Sequence, residues 1–151
     1  MWISTKAQYG MRALVEVALG GDDPTSLKTV ADRQNLSHQY LEQIFAVLRR
    51  AGIVESVRGA RGGYRMARSL DAIPALEVVE LLEGSVAPVT CIEDERTCER
   101  VGHCSTEILW RRVDAAVREV LGSTSLADLV MQRQILGLGS LREAESFGRA
   151  G

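Results

Sequence analysis

The chain has 151 residues, 46% of them hydrophobic and 25% charged, with a formal net charge of -2. Such a length buries roughly 70% of the unfolded surface, enough for one compact domain or a small domain with an appendage, and the composition is ordinary for a globular protein. Apolar runs fall far short of the ~20 residues of a membrane helix, and Met1-Trp2-Ile3-Ser4-Thr5-Lys6 lacks signal-peptide design, so no membrane is expected and a cytoplasmic, reducing setting is.

The first predicted helix begins with Thr5 and Gln8 as a capping-box pair and carries Ala7, Met11, Leu14, Val15, Ala18 and Leu19 at helical spacing. Gly20-Gly21-Asp22-Asp23-Pro24 ends it, and Ser26 caps a short second helix over 27–34. After the break Asn35-Leu36-Ser37, Ser37 is a good N-cap for a third helix over 38–50. Its inward stripe is Leu41, Ile44, Phe45 and Leu48, which leaves His38, Gln39, Tyr40, Glu42 and Gln43 pointing mostly outward near its start. Two short helices joined by a tight turn, the second polar at its N-terminal end, form a helix-turn-helix suited to a DNA major groove.

Beyond Ala51-Gly52 the apolar period changes to two. Residues 53–58 and 64–67 read as strands around Gly59-Ala60-Arg61-Gly62-Gly63, a hairpin with an arginine at its tip. A helix-turn-helix followed by such a hairpin is a winged helix, in which glycine admits a phosphate and the arginine enters a narrow minor groove. Charge agrees with this reading. Residues 1–69 hold ten Lys or Arg against six Asp or Glu, whereas residues 70–151 hold eight against fourteen. Six arginines and a single acid, Glu55, lie within 49–68, a basic patch suited to a polyanion.

Pro74 opens a fourth helix over 75–83, ended by Gly84. All three cysteines then fall in one stretch, Cys91, Cys98 and Cys104, with six and then five residues between them, among Glu, Asp, Arg, Thr and Gly. The odd number argues against a disulfide framework, and a metal or cluster loop is the leading reading. A helix over 105–121 follows, the longest expected, spanning roughly 25 Å. Its stripe of Leu109, Val113, Ala116, Val117 and Val120 suits pairing with a second copy of the chain. Ser125 and Asp128 form a further capping pair for a terminal helix over 126–136. The expected organisation is a winged helix-turn-helix over 1–84, a cysteine loop over 85–104, dimerisation and terminal helices over 105–136, and a flexible tail over 137–151. The fold class is mainly α with a small β-hairpin wing.

Ser4-Thr5-Lys6-Ala7-Gln8-Tyr9-Gly10, Tyr40-Leu41-Glu42-Gln43, Val57-Arg58-Gly59-Ala60-Arg61-Gly62-Gly63-Tyr64, and three cysteines ahead of a long helix bearing Trp110 together resemble the Rrf-two superfamily of bacterial transcription regulators. Its types include the iron–sulfur regulator IscR, the nitric-oxide sensor NsrR, the iron regulator RirA and the cysteine-metabolism regulator CymR, and the cysteines place the chain nearest the cluster-bearing IscR-like members. The resemblance implies a homodimer, joined through its long helix, that acts as a repressor or dual regulator on a palindromic double-stranded DNA operator. It places Glu42 and Gln43 on the recognition helix and a wing arginine in the minor groove. The candidate DNA-contacting set is Ser37, His38, Gln39, Tyr40, Glu42, Gln43, Arg49, Arg58, Arg61, Gly62 and Gly63. It also implies an iron–sulfur cluster, 2Fe-2S or 4Fe-4S, on Cys91, Cys98 and Cys104.

Three departures stand out. Glu107 occupies the position of the IscR histidine, Gln8 that of the NsrR aspartate, and Cys91 and Cys98 are one residue further apart than in IscR. Within the loop Glu107 is favoured as fourth ligand over His103, because adjacent residues such as His103 and Cys104 seldom reach one iron. An outside donor from a partner's first helix is a third option. Other readings are a zinc site completed by His103, a thiol-redox switch at Cys104, or a CymR-like, cluster-free regulator acting with a metabolic enzyme partner. The last is suggested by Ser125-Leu126-Ala127-Asp128-Leu129, although CymR-like members lack these cysteines. An enzyme with a cysteine nucleophile is disfavoured, since His38 and His103 are the only histidines and no base–orienter pair is evident.

Overall fold

The computed structural model describes residues 3–148, with side chains described through residue 137. Met1 and Trp2, used in the signal-peptide reading, and residues 149–151 of the expected tail lie outside the described residues. Helix α1 (Thr5–Leu19) is the central element, touching α2 (Leu27–Gln34), α3 (His38–Arg50), α4 (Ala75–Glu83) and α7 (Leu126–Gly148). Its cap is Ser4, whose Oγ accepts the Lys6 N–H at 3.2 Å, and not the expected Thr5. Gln8 folds back on the chain, donating from Nε2 to the Ile3 carbonyl at 2.8 Å. Ser4 also bonds the Glu83 carboxylate through its N–H at 2.8 Å and through its hydroxyl, which fastens the start of α1 to the end of α4.

The buried face of α1 is Ala7, Ala13, Leu14, Val17 and Ala18, with Met11, Val15 and Leu19 on its half-buried margin. They pack with Leu41, Ile44, Phe45 and Leu48 of α3, Val78, Val79 and Leu82 of α4, and Leu126 and Val130 of α7 in one core. The break after α2 is a left-handed Asn35, φ 53°, a conformation that asparagine tolerates better than most residues. Strands β1 (Val54–Val57) and β2 (Gly63–Met66) pair antiparallel, Val54 opposite Met66 and Val57 opposite Gly63. A backbone pair between Thr25 and Tyr64, at 2.8 and 2.9 Å, pins the hairpin to the α1–α2 turn.

Beyond α4, the cysteine stretch forms a short helix α5 (Thr90–Glu93) and a single 3-10 turn (Glu95–Thr97) before α6 (Glu107–Ser123). The chain then returns to the winged helix, where the Leu126 N–H reaches the Ile73 carbonyl and the Ala75 N–H the Thr124 carbonyl, each at 2.8 Å. Ser125 and Asp128 cap α7 reciprocally, at 2.8 and 3.2 Å, as their spacing predicts. Helix α7 continues past residue 136 to Gly148 and is longer than α6. A glycine such as Gly137 costs a helix only about 1 kcal/mol and does not stop it. Among the described residues no helix is long and apolar enough to cross a membrane.

Candidate nucleic-acid interface and cysteine loop

The Ser37 hydroxyl accepts the Tyr40 N–H at 3.3 Å and starts α3. Because Leu41, Ile44, Phe45 and Leu48 are fully buried, the opposite face is set, and His38, Gln39, Glu42 and Gln43 are exposed on it. His38 Nδ1 lies 3.6 Å from Glu42. Tyr40 is partly turned to packing, edge-on to the Tyr9 ring with centroids 6.3 Å apart. The Arg12 guanidinium sits 5.5 Å over the other ring of that pair, Tyr9, and donates to the Gln34 side chain and carbonyl at 2.9 and 3.0 Å. These contacts, which pattern reading did not find, fasten both helices of the helix-turn-helix to α1.

In the wing, Arg58 and Arg61 are exposed beside the turn glycines. Two arginines of the basic segment are committed elsewhere. Arg65 pairs across the hairpin with Glu55 at 2.6 Å, and Arg68 holds Glu77 at 2.6 Å and the Ala72 carbonyl at 2.8 Å. Arg49, Arg50, Arg58 and Arg61 remain as exposed guanidiniums on the side of the recognition helix and wing. Gly62 and Gly63 have structural reasons to be glycine. A Cβ would meet the Val57 carbonyl oxygen at 2.3 Å from Gly62, and the Thr25 carbonyl oxygen at 2.3 Å from Gly63.

All three cysteines are free thiols, each partly buried. Cys91 lies in α5, Cys98 directly after the 3-10 turn and Cys104 three residues before α6. Asp94 shapes the stretch, accepting the Arg96 N–H and pairing with its guanidinium at 3.0 Å, which holds the Asp94 carboxyl below its usual range. The Cys104 thiol is held below the usual thiol range by its hydrogen bond with the Thr106 hydroxyl at 3.2 Å, with neighbouring backbone N–H groups adding to the effect. Both Glu107 oxygens are engaged, one by the Gly102 N–H and one by Arg111, and those bonds keep its carboxyl below the usual range. His103 is exposed. Among the described residues no three His, Cys, Asp or Glu side chains stand close enough together to hold a metal ion. Spacing along the chain predicts ready convergence of the thiols, but the three do not stand together as a metal-holding group among the described residues.

A buried helix-turn-helix scaffold with a polar outer face on its second helix, followed by a pinned hairpin with exposed arginines, defines a winged-helix DNA-binding protein. A family model described as "Rrf2: Iron-dependent Transcriptional regulator" matches residues 3–132. The regulator CymR of Bacillus subtilis is 47% identical over 130 residues, covering 85% of this chain and 89% of that one. The solved structure of the same protein, described as "the Global Cysteine Regulator", superposes with a TM-score of 0.74 over 87% of this chain and 98% of that chain, at 45% identity. The structure of T. potens IscR superposes with a TM-score of 0.72 over 88% of each chain, at 40% identity. The chain belongs to the Rrf2 family of transcription regulators. Since likeness to this CymR is no weaker than likeness to this IscR, any case for a cluster rests on the cysteines themselves and not on overall similarity.

Proposed function

We propose that the protein is a homodimeric regulator whose operator binding is controlled by an iron–sulfur cluster on Cys91, Cys98 and Cys104. The observation that carries this reading is three free, partly buried thiols in one short stretch directly ahead of α6. The donor set fits the group, because thiolates are the soft ligands that iron–sulfur clusters take, and no disulfide competes for them. A bound cluster supplies an occupancy that can be lost or oxidised, and so a signal. The chain's own residues supply the rest. Cys104 joins the loop to α6, and the exposed side chains of α3 and the wing meet DNA, Gln43 at base edges and Arg61 in the minor groove. Through that joint the loop biases the spacing of two wings across a dimer.

A second reading, a thiol-redox switch at Cys104, is favoured by the Thr106 hydrogen bond that lowers its thiol pKa. One experiment separates the two. Anaerobic purification with iron and sulfide analysis should give a coloured protein whose visible absorption disappears on Cys91→Ala, Cys98→Ala or Cys104→Ala. Its operator affinity in gel shifts should change when the colour is lost. A colourless protein whose DNA binding still responds to a thiol oxidant would establish the second reading instead.

A further inference from the structure

The first turn of α6 grips the segment that carries Cys98 and leads into Cys104. Glu107 Oε2 accepts the Gly102 N–H at 2.7 Å, and Glu107 Oε1 accepts Arg111 Nε at 2.9 Å. Arg111 Nη2 lies 2.8 Å from the same Glu107 oxygen and donates to Glu95 Oε1 at 2.7 Å. Glu95 precedes Cys98 by three residues, and Gly102 precedes Cys104 by two. Both ends of the 95–102 segment are therefore fastened to one helical turn. Gly102 itself has φ +81°, a left-handed conformation that glycine adopts freely, so Glu107 captures a particular turn of the chain.

In this arrangement the thiols do not share a site. Cys98 lies inside the tied segment and Cys104 two residues beyond its end, so a rearrangement that brings either thiol to Cys91 acts against these ties. We propose that Glu107 and Arg111 are a latch that holds the thiols apart, and that gathering the three thiols requires Arg111 to release Glu95. This rests on the reading of the loop as a three-thiolate site. Glu107 is then a positioning residue and not a fourth ligand, since ligation would take its carboxylate from Gly102 and Arg111. The two loop arrangements exclude one another, which is what a sensor needs from a two-state element.

The test uses the reduced, metal-free full chain, with arsenite alone as a probe, because trivalent arsenic takes three thiolates. Two variants are compared, Glu107→Ala and Arg111→Met. Amide hydrogen exchange at Gly102 should speed up in both. Arsenite affinity should rise by about two- to fivefold in Arg111→Met, the equilibrium equivalent of losing an exposed ion pair. A brace that merely supports the loop would give the opposite sign, weaker arsenite binding once removed. Unchanged Gly102 exchange in both variants overturns the latch, whatever arsenite does. Equal or weaker arsenite binding by Arg111→Met overturns its opposition to gathering. If no form takes up arsenite, the three-thiolate reading falls, and with it the gathering half of the proposal. The exchange result then decides the ties themselves.

Discussion

Glu16 is an acid on the core side of α1, 3% exposed, between Ala13 and Val17. Gln34 donates to its Oε1 at 2.7 Å, while Arg33 and Arg133 each stand 3.6 Å from the carboxylate. One buried charge thus gathers α1, the end of α2 and α7 around itself. Burial of a carboxylate is tolerated only with such partners, and its removal strands the Gln34 amide and leaves two arginines uncompensated. Glu16→Ala is expected to lower stability by about 1–3 kcal/mol. Denaturant unfolding measures this, and a loss below about 0.5 kcal/mol, the level of an ordinary surface substitution, would show that the network carries little.

Among the elements, α6 has two working faces displaced by one residue. Trp110, Asp114, Val117 and Leu121 are half-buried, with Val117 and Leu121 against the core, and Arg118 bridges Asp114 at 3.0 Å to Glu80 of α4 at 2.7 Å. Val117, expected in the pairing seam, therefore faces its own domain. The neighbouring face exposes Leu109 by 50% and Val120 by 64%, with Ile108 beside it exposed by 72%, an apolar stripe that suits a second copy. Leu109→Glu and Val120→Glu are expected to give monomers that lose operator binding without losing the fold. Light scattering on either variant that still returns a dimer would remove this face as the seam.

The recognition helix and the wing are separable elements, and their contributions should separate too. Gln43→Ala is expected to relax base preference, costing roughly 1–3 kcal/mol of discrimination if it makes a bidentate contact. Arg61→Ala should weaken binding most at sites with narrow, A·T-rich minor grooves. Gel shifts on matched and scrambled operators measure both, and unchanged affinity for both variants on every sequence would take the contacts away from these elements.

Over the whole molecule, positive charge is gathered in residues 1–69 and negative charge in residues 70–151, ten bases against six acids and eight against fourteen. With Arg65 and Arg68 paired internally, the exposed arginines of the wing and of the end of α3 are the ones expected to carry the attraction for phosphate. Affinity should fall log-linearly with salt, each phosphate contact adding about 0.9 to the slope. Arg58→Ala should then reduce the slope by about two per dimer and weaken all sequences alike. A salt titration with an unaltered slope would show that Arg58 does not meet phosphate.

What the sequence determined alone is whatever rests on residues within a few positions of one another. Ser26, Ser37 and the Ser125–Asp128 pair cap their helices as read, Gly84 ends α4, and the period of two after Gly52 becomes the hairpin, because each is decided by bonds inside one turn or one β-pair. The expected N-cap Thr5 lies one residue past the actual cap, Ser4, and Gln8 donates to the Ile3 carbonyl. Tertiary structure alone decided which of two adjacent stripes of α6 faces inward, since each carries apolar residues and the seat on α4, with the Arg118–Glu80 pair, distinguishes them. It alone buried Glu16, whose partners lie on α2 and α7, far along the chain. It also decided the condition of the cysteine loop. Spacing shows that three thiols are near in sequence, whereas the turn at Glu95 and the bonds from Glu107 and Arg111 to Gly102 and Glu95 are contacts that spacing does not reveal.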